Sequence, residues 1–158
     1  MQTFNLAVDR WAPFVRVFAF VRYDFTGATY KMQVRQTKDV GSALLTLNTV
    51  STDIQGVRTS YAGTDTIANH LAAGRFDQAD VDTLLDTENP ATGVNYELTD
   101  SILLSLVEIR IDKANVSTLP LNNGADILFY YDLHITPSGG DETNFVGGQF
   151  LVCAGATQ

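Results

Sequence analysis

Ala28-Thr29-Tyr30-Lys31-Met32-Gln33-Val34 alternates without a break. Ala28, Tyr30, Met32 and Val34 share one side, while Thr29, Lys31, Gln33 and then Arg35 share the other. A period of two is the mark of a strand with one face buried and one face in water. At 3.6 residues per turn the same apolar side chains would scatter around a helix. Just before this stretch, Tyr23-Asp24-Phe25-Thr26-Gly27 is rich in turn formers. Gly27 is suited to a positive φ there, and Asp24 or Thr26 to bonding the turn backbone. Further back lie a β-branched and aromatic run, Val15 to Val21, and a loose alternation from Thr3 to Val8. Downstream, Gln36 to Asp39 is polar and turn-like, and short strands are predicted over Ala43–Leu47 and Val57–Tyr61. Short strands punctuated by Gly, Asp and Asn point to a sandwich or barrel rather than a parallel sheet.

The middle of the chain changes character. Thr66 to Gly74 contains helix formers, with Thr64 or Asp65 as the predicted N-cap and Gly74 as the stop. Asp77 to Leu85 offers a second helix whose Val81, Leu84 and Leu85 share a face. Strand character returns at Ile102–Ile111 and at Asp126–Ile135, whose centre is Phe129-Tyr130-Tyr131. Asp112 to Pro120 reads as a connection with a short helical turn. Pro137 to Asp141 reads as a hairpin loop that leads into a last strand, Asn144–Val152. Gly147-Gly148 within that strand marks a bulge or a close backbone approach. No repeat or linker divides the chain, so residues 1–158 are expected to form a single β-sandwich domain with a helical insertion over about residues 62–100.

Composition narrows the function classes. Ten basic and 18 acidic residues give a net charge of −8, which argues against a nucleic-acid backbone or an anionic membrane as partner. No apolar run approaches the roughly 20 residues of a membrane helix, so no membrane insertion is expected. The single cysteine, Cys153, excludes an internal disulfide and any multi-cysteine zinc site. His70 and His134 are the only histidines. No nucleophile elbow, glycine-rich phosphate loop or zinc-binding histidine pair accompanies them. No enzyme, cofactor or small-molecule substrate is expected, and His70→Ala and His134→Ala are expected to leave function intact. A hydrolase built on a carboxylate pair would need two acids facing each other across a cleft.

Charge is unevenly spread. Residues 1–76 carry eight bases and five acids, residues 77–100 carry seven acids and no base, and the remainder carries two bases and six acids. Asp77, Asp80, Asp82, Asp86 and Glu88 form the densest acidic cluster. It lacks the glycine and spacing of a calcium loop, and its simplest reading is a solvated helix face with acids near its N-terminus. With the basic and acidic regions on opposite sides, copies would meet head to tail in contacts that close into rings or continue as filaments. The candidate interface residues are Asp77, Asp80, Asp82 and Asp86, with Ile67 and Leu71 on the first helix. The aromatics Trp11, Phe14, Phe18, Phe20, Phe129, Tyr130 and Tyr131 are read mainly as core, with a sugar-stacking platform as the alternative.

Two blocks carry a resemblance. Arg22-Tyr23-Asp24-Phe25-Thr26-Gly27-Ala28-Thr29-Tyr30-Lys31-Met32-Gln33-Val34-Arg35 resembles a segment near the start of many tailed-phage and prophage structural proteins, and Leu44-Leu45-Thr46-Leu47 fits the strand that follows it. Tyr130-Tyr131-Asp132-Leu133-His134-Ile135-Thr136, followed by Phe145 to Val152, looks like the closing hairpin of the same proteins. They are similar to the immunoglobulin-like N-terminal domain of the baseplate upper protein family, which attaches peripheral parts to a phage tail tip. The resemblance implies an all-β fold, an immunoglobulin-like antiparallel β-sandwich. It implies a virion structural protein of the tail tip or baseplate, or a tail-associated adaptor, made in the host cytoplasm. Its partners would be other phage structural proteins and copies of itself. Val8 to Pro13 stands where the family has a glycine-aspartate turn, and the chain ends at Gln158 where a baseplate upper protein continues into a stalk. A stand-alone adaptor is therefore expected. The alternatives are a carbohydrate-binding module for host attachment and a structural protein of the neck or capsid surface.

Overall fold

The computed structural model describes residues 2–38, 40–120 and 124–154. Asp39, the last residue of the predicted turn, and Gln158 lie outside these. Among the described residues, nine strands form two sheets. β1 (Gln2–Thr3) and β2 (Leu6–Asp9) pair in parallel with β9 (Thr143–Cys153). From β9 the first sheet continues through β8 (Ile127–Thr136) and β4 (Thr29–Thr37) to β5 (Val40–Asn48). The second sheet is β3 (Phe14–Val21), β7 (Ser101–Ile111) and β6 (Gly56–Thr66), all antiparallel. Apart from the parallel start, neighbouring strands run antiparallel throughout. The orders β3-β7-β6 and β9-β8-β4-β5 are those of strands B-E-D and G-F-C-C′ of the immunoglobulin sandwich. The antibody hallmarks are replaced. The single cysteine is on β9, and the single tryptophan, Trp11, precedes β3.

The alternation read from the sequence is what builds the core. Tyr30, Met32 and Val34 of β4 point inward beside Phe129, Tyr131, Leu133 and Ile135 of β8, and all are buried. They meet Phe18 and Phe20 of β3, Val107, Ile109 and Ile111 of β7, and Val57 of β6. The sequence pattern alone gives β4 a facing sheet containing Phe129 and Tyr131. Instead β4 and β8 are neighbours in one sheet, paired from Thr29↔Thr136 to Arg35↔Tyr130. Alternation fixes which side of a strand is buried, not which strand lies across the core.

The turn before β4 forms as its residues dictate. Gly27 has φ +70°, and Asp24 Oδ1 accepts from the Thr26 amide at 3.0 Å and the Thr26 hydroxyl at 2.7 Å. Buried Ser105 of β7 clamps the same segment by donating to the Tyr23 carbonyl at 2.7 Å and accepting from the Phe25 amide at 2.9 Å. In β9 the close-approach reading of the glycine pair holds. A Cβ on Gly148 would lie 2.4 Å from the Phe4 carbonyl oxygen. The ladder irregularity lies elsewhere, between the pairs Leu133↔Val146 and His134↔Asn144.

The helical layer begins later than predicted. Ala62–Thr66 are strand residues, paired with β7 from Ala62↔Ser105 to Thr66↔Ser101. Consequently the N-cap of α1 (Ile67–Ala72) is Thr66, whose Oγ1 accepts from the Asn69 amide at 3.1 Å, and not Thr64 or Asp65. α2 (Gln78–Leu85) follows, and α3 (Lys113–Val116) supplies the predicted turn after β7. Ile67, Phe76, Val81, Leu84 and Tyr96 form a second apolar cluster with Ile102 and Leu104. The two helices thus roof one end of the outward face of the three-stranded sheet. Among the described residues, no helix is long and apolar enough to cross a membrane.

Candidate functional site

The acidic stretch of the insertion is organised by helix capping. Asp77 caps α2, accepting from the Asp80 amide at 2.8 Å, while Asp80 accepts from the Asp77 amide at 3.2 Å. This reciprocal box satisfies two donors that the first helical turn leaves open. Slight burial, and then the like charge of Asp77 beside it, raises the Asp80 carboxyl from its ordinary value although the residue is largely exposed. Asp82 accepts from Gln78 Nε2 at 2.9 Å, and Asp86 is the C-cap. All four carboxylates are exposed, and no ion pair reaches them among the described residues. They leave the exposed surface of the α2 segment acidic. No three His, Cys, Asp or Glu side chains gather to hold a metal ion among the described residues.

The apolar members of the predicted interface behave differently. Ile67 is fully enclosed in the second cluster, and Leu71 is half-buried against it. Ile67 is therefore withdrawn from any docking surface. The first helix uses its apolar face to cover Ile102 and Leu104, because a lone amphipathic turn on a sheet buries that face first.

Each histidine has a defined place. His70 is fully buried, with Nε2 3.0 Å from the Ile102 carbonyl and Nδ1 3.2 Å from an Arg75 guanidinium nitrogen. Arg75 also lies 3.4 Å from Asp65 and 4.0 Å over the Tyr61 ring. This network ties the helical layer to β6 and β7 and leaves neither ring nitrogen open. His134 lies on the outer face of β8, with Nε2 3.2 Å from Asp132 and Nδ1 2.9 Å from Glu142. Cys153 is half-buried at the end of β9, where burial and then the carboxylates of Asp126 and Asp9 push its thiol up. That disfavours the thiolate a nucleophile needs.

The aromatics weighed as a sugar platform divide. Phe18, Phe20, Phe129 and Tyr131 are core, Phe14 and Tyr130 are half-buried, and Trp11 is exposed with its indole donating to the Ala154 carbonyl at 2.9 Å.

A concavity that the sequence did not mark lies on the outward face of the larger sheet. It crosses β1, β9, β8 and the end of β4, with a volume of about 350 Å³. Its floor is Gly147, paired with Asp132 on one side and Thr3 on the other. Arg35 is held by the Gln33 side-chain oxygen, the Gly41 carbonyl at 3.2 Å and, more loosely, Asp132 at 3.7 Å. Lys38, Tyr130, Asn5 and Gln149 complete the wall. Alternation places Tyr130, Asp132 and Arg35 on polar faces, but only the β4–β8 pairing brings them together.

No family model, curated protein or solved structure matches this chain.

Proposed function

We propose that this chain is a virion structural protein of a tailed phage, a tail-tip or baseplate adaptor that acts through protein–protein contacts and not through catalysis. One observation carries the reading. The two sequence blocks that resemble phage baseplate proteins, far apart along the chain, lie on adjacent strands. Thr29–Arg35 pairs residue by residue with Tyr130–Thr136. Segments that jointly specify one sheet are the segments whose resemblance should travel together. The fold suits the role. A sandwich with a fully enclosed core is a rigid scaffold, and the roof of helices presents uncompensated carboxylates to a neighbour. Complementary charge of this kind steers encounter and fixes register. Partners would be basic surfaces of other tail proteins or of further copies. The test is immunogold electron microscopy of tailed-phage particles whose genome encodes the chain, with antibody raised against the purified chain. Label at one end of the tail is the expected result, and particles that carry no label overturn the reading.

A further inference from the structure

We propose that the concavity on the outer face of β9, β8 and β4 binds an anionic saccharide, the anion being a ring carboxylate or a phosphate ester. The site does not depend on where the protein assembles. Its volume of about 350 Å³ falls in the range of small-ligand pockets, roughly 300–1,000 Å³. Gly147 lines the recess between its β-ladder partners Asp132 and Thr3 and presents no side chain to it. Around that floor, Thr3, Asn5 and Gln149 offer the hydroxyl and amide groups that match sugar hydroxyls, and Tyr130 offers a ring with a polar tip.

The charge of the wall selects the ligand. In a chain of net charge −8, this cleft carries two cations, Arg35 and Lys38, against one carboxylate, Asp132. Asp132 is already faced by Arg35 and by His134 Nε2 at 3.2 Å. Lys38 has no carboxylate partner among the described residues. Arg35 is fixed by Gln33 and Gly41, so its guanidinium plane is set before a ligand arrives. A planar fork of donors suits a carboxylate or a phosphate, and Lys38 adds a point charge. The site is a recess in the middle of a sheet face, not an open strand edge, so a sugar ring fits it better than an extended peptide does.

The experiment is a titration of the intact chain followed through its backbone amide resonances. The probes are trigalacturonate, glucose 6-phosphate, neutral maltotriose and a glutamate-rich peptide. Shifts confined to Thr3, Lys38, Gly147, Gly148 and Gln149 are expected with either anionic sugar. Lys38→Ala should weaken binding about tenfold, the value of one charge-assisted bond. Gly147→Val should abolish it. Lys38→Ala, an exposed change, keeps the test valid if Gly147→Val does not fold. The proposal is overturned by no localised shift at millimolar sugar, or by equal binding of maltotriose. It is equally overturned if Lys38→Ala binds like the wild type, or if the acidic peptide binds as well as the sugars, which would make the cleft a protein-docking site.

Discussion

His70 Nε2 faces a carbonyl, which only accepts, so this nitrogen carries the proton; Nδ1 then accepts from Arg75. A buried imidazole whose two nitrogens are both committed acts as a structural cross-brace. The sequence-based expectation for His70→Ala concerns function, which it leaves intact; for stability the network predicts a cost. Alanine would strand the Ile102 carbonyl and one guanidinium bond and leave a void beside Phe76, whose ring centroid is 5.5 Å away. The expected loss is on the order of 2–4 kcal/mol in urea unfolding, with partial recovery in His70→Gln. An unfolding midpoint equal to the wild type would show that the network does not brace the layer. The same network has a pH signature. Bonds from the Asn69 side chain and the Thr66 amide, helped by Arg75, hold the Asp65 carboxyl below its ordinary value. A depressed carboxylate stabilises the fold fully above the unfolded value, about 3.9, and loses that contribution as pH falls through the folded one. Asp24, held by the Thr26 hydroxyl and amide, works in the same direction, whereas the raised Asp80 works against it. Asp65→Asn should therefore flatten the acid limb of a melting-temperature profile.

Strands were legible where their two faces see different media. β4 has core on one side and water on the other, so its period of two survives in the sequence and its inward residues were named correctly. β7 is apolar on both faces because one packs against the other sheet and the other lies under the helices at Ile102 and Leu104. Its run identified a core strand without saying what covered it. The end of β6 was missed altogether. Ala62-Gly63-Thr64-Asp65-Thr66 has little apolar content and is held by backbone pairing to β7, which leaves no trace in side-chain pattern. The outer-face cleft was equally invisible, since it arises from a pairing of β4 with β8 that no local signal encodes. Only the glycines of β9 hinted that something approaches there, and Gly148 gives that hint a test. Its φ of +153° and the Phe4 carbonyl 2.4 Å from a Cβ mean that Gly148→Ala must displace the parallel N-terminal strands. Faster amide exchange at Leu6 and Val8, with β4 and β7 left protected, is the expected result. Unchanged protection in β2 would mean that the chain accommodates the methyl group without undocking its start.

For the whole molecule, the charge segregation read from the sequence survives only in part. Of the bases in residues 1–76, Arg10 is buried against the Ser117 and Leu119 carbonyls, while Arg58 and Arg75 pair with Glu108 and Asp65. The acids of 77–86 have no such internal partners among the described residues, so the acidic face persists while the basic one is diminished. Head-to-tail attraction between identical copies is weakened accordingly, and a separate basic partner becomes the better match for that face. The insertion itself is more than a loop carrying charge. Thr66 and Ser101 are directly paired, so the chain between them could be replaced by a two-residue Asn-Gly turn without breaking the β6–β7 ladder. A cut beginning at Gly63 would instead remove strand residues. Replacing residues 67–100 in this way uncovers Ile102 and Leu104 and the half-buried Tyr61 and Leu106 on one sheet face. A contiguous exposed patch of that kind drives association. The shortened chain should keep a β-type circular-dichroism spectrum, bind a hydrophobic dye and self-associate. Adding Ile102→Thr, Leu104→Thr and Leu106→Lys should return it to a monomer. If the shortened chain is monomeric without those changes, the sheet face needs no cover. The helices would then be present for their acidic surface and not to cover the sheet.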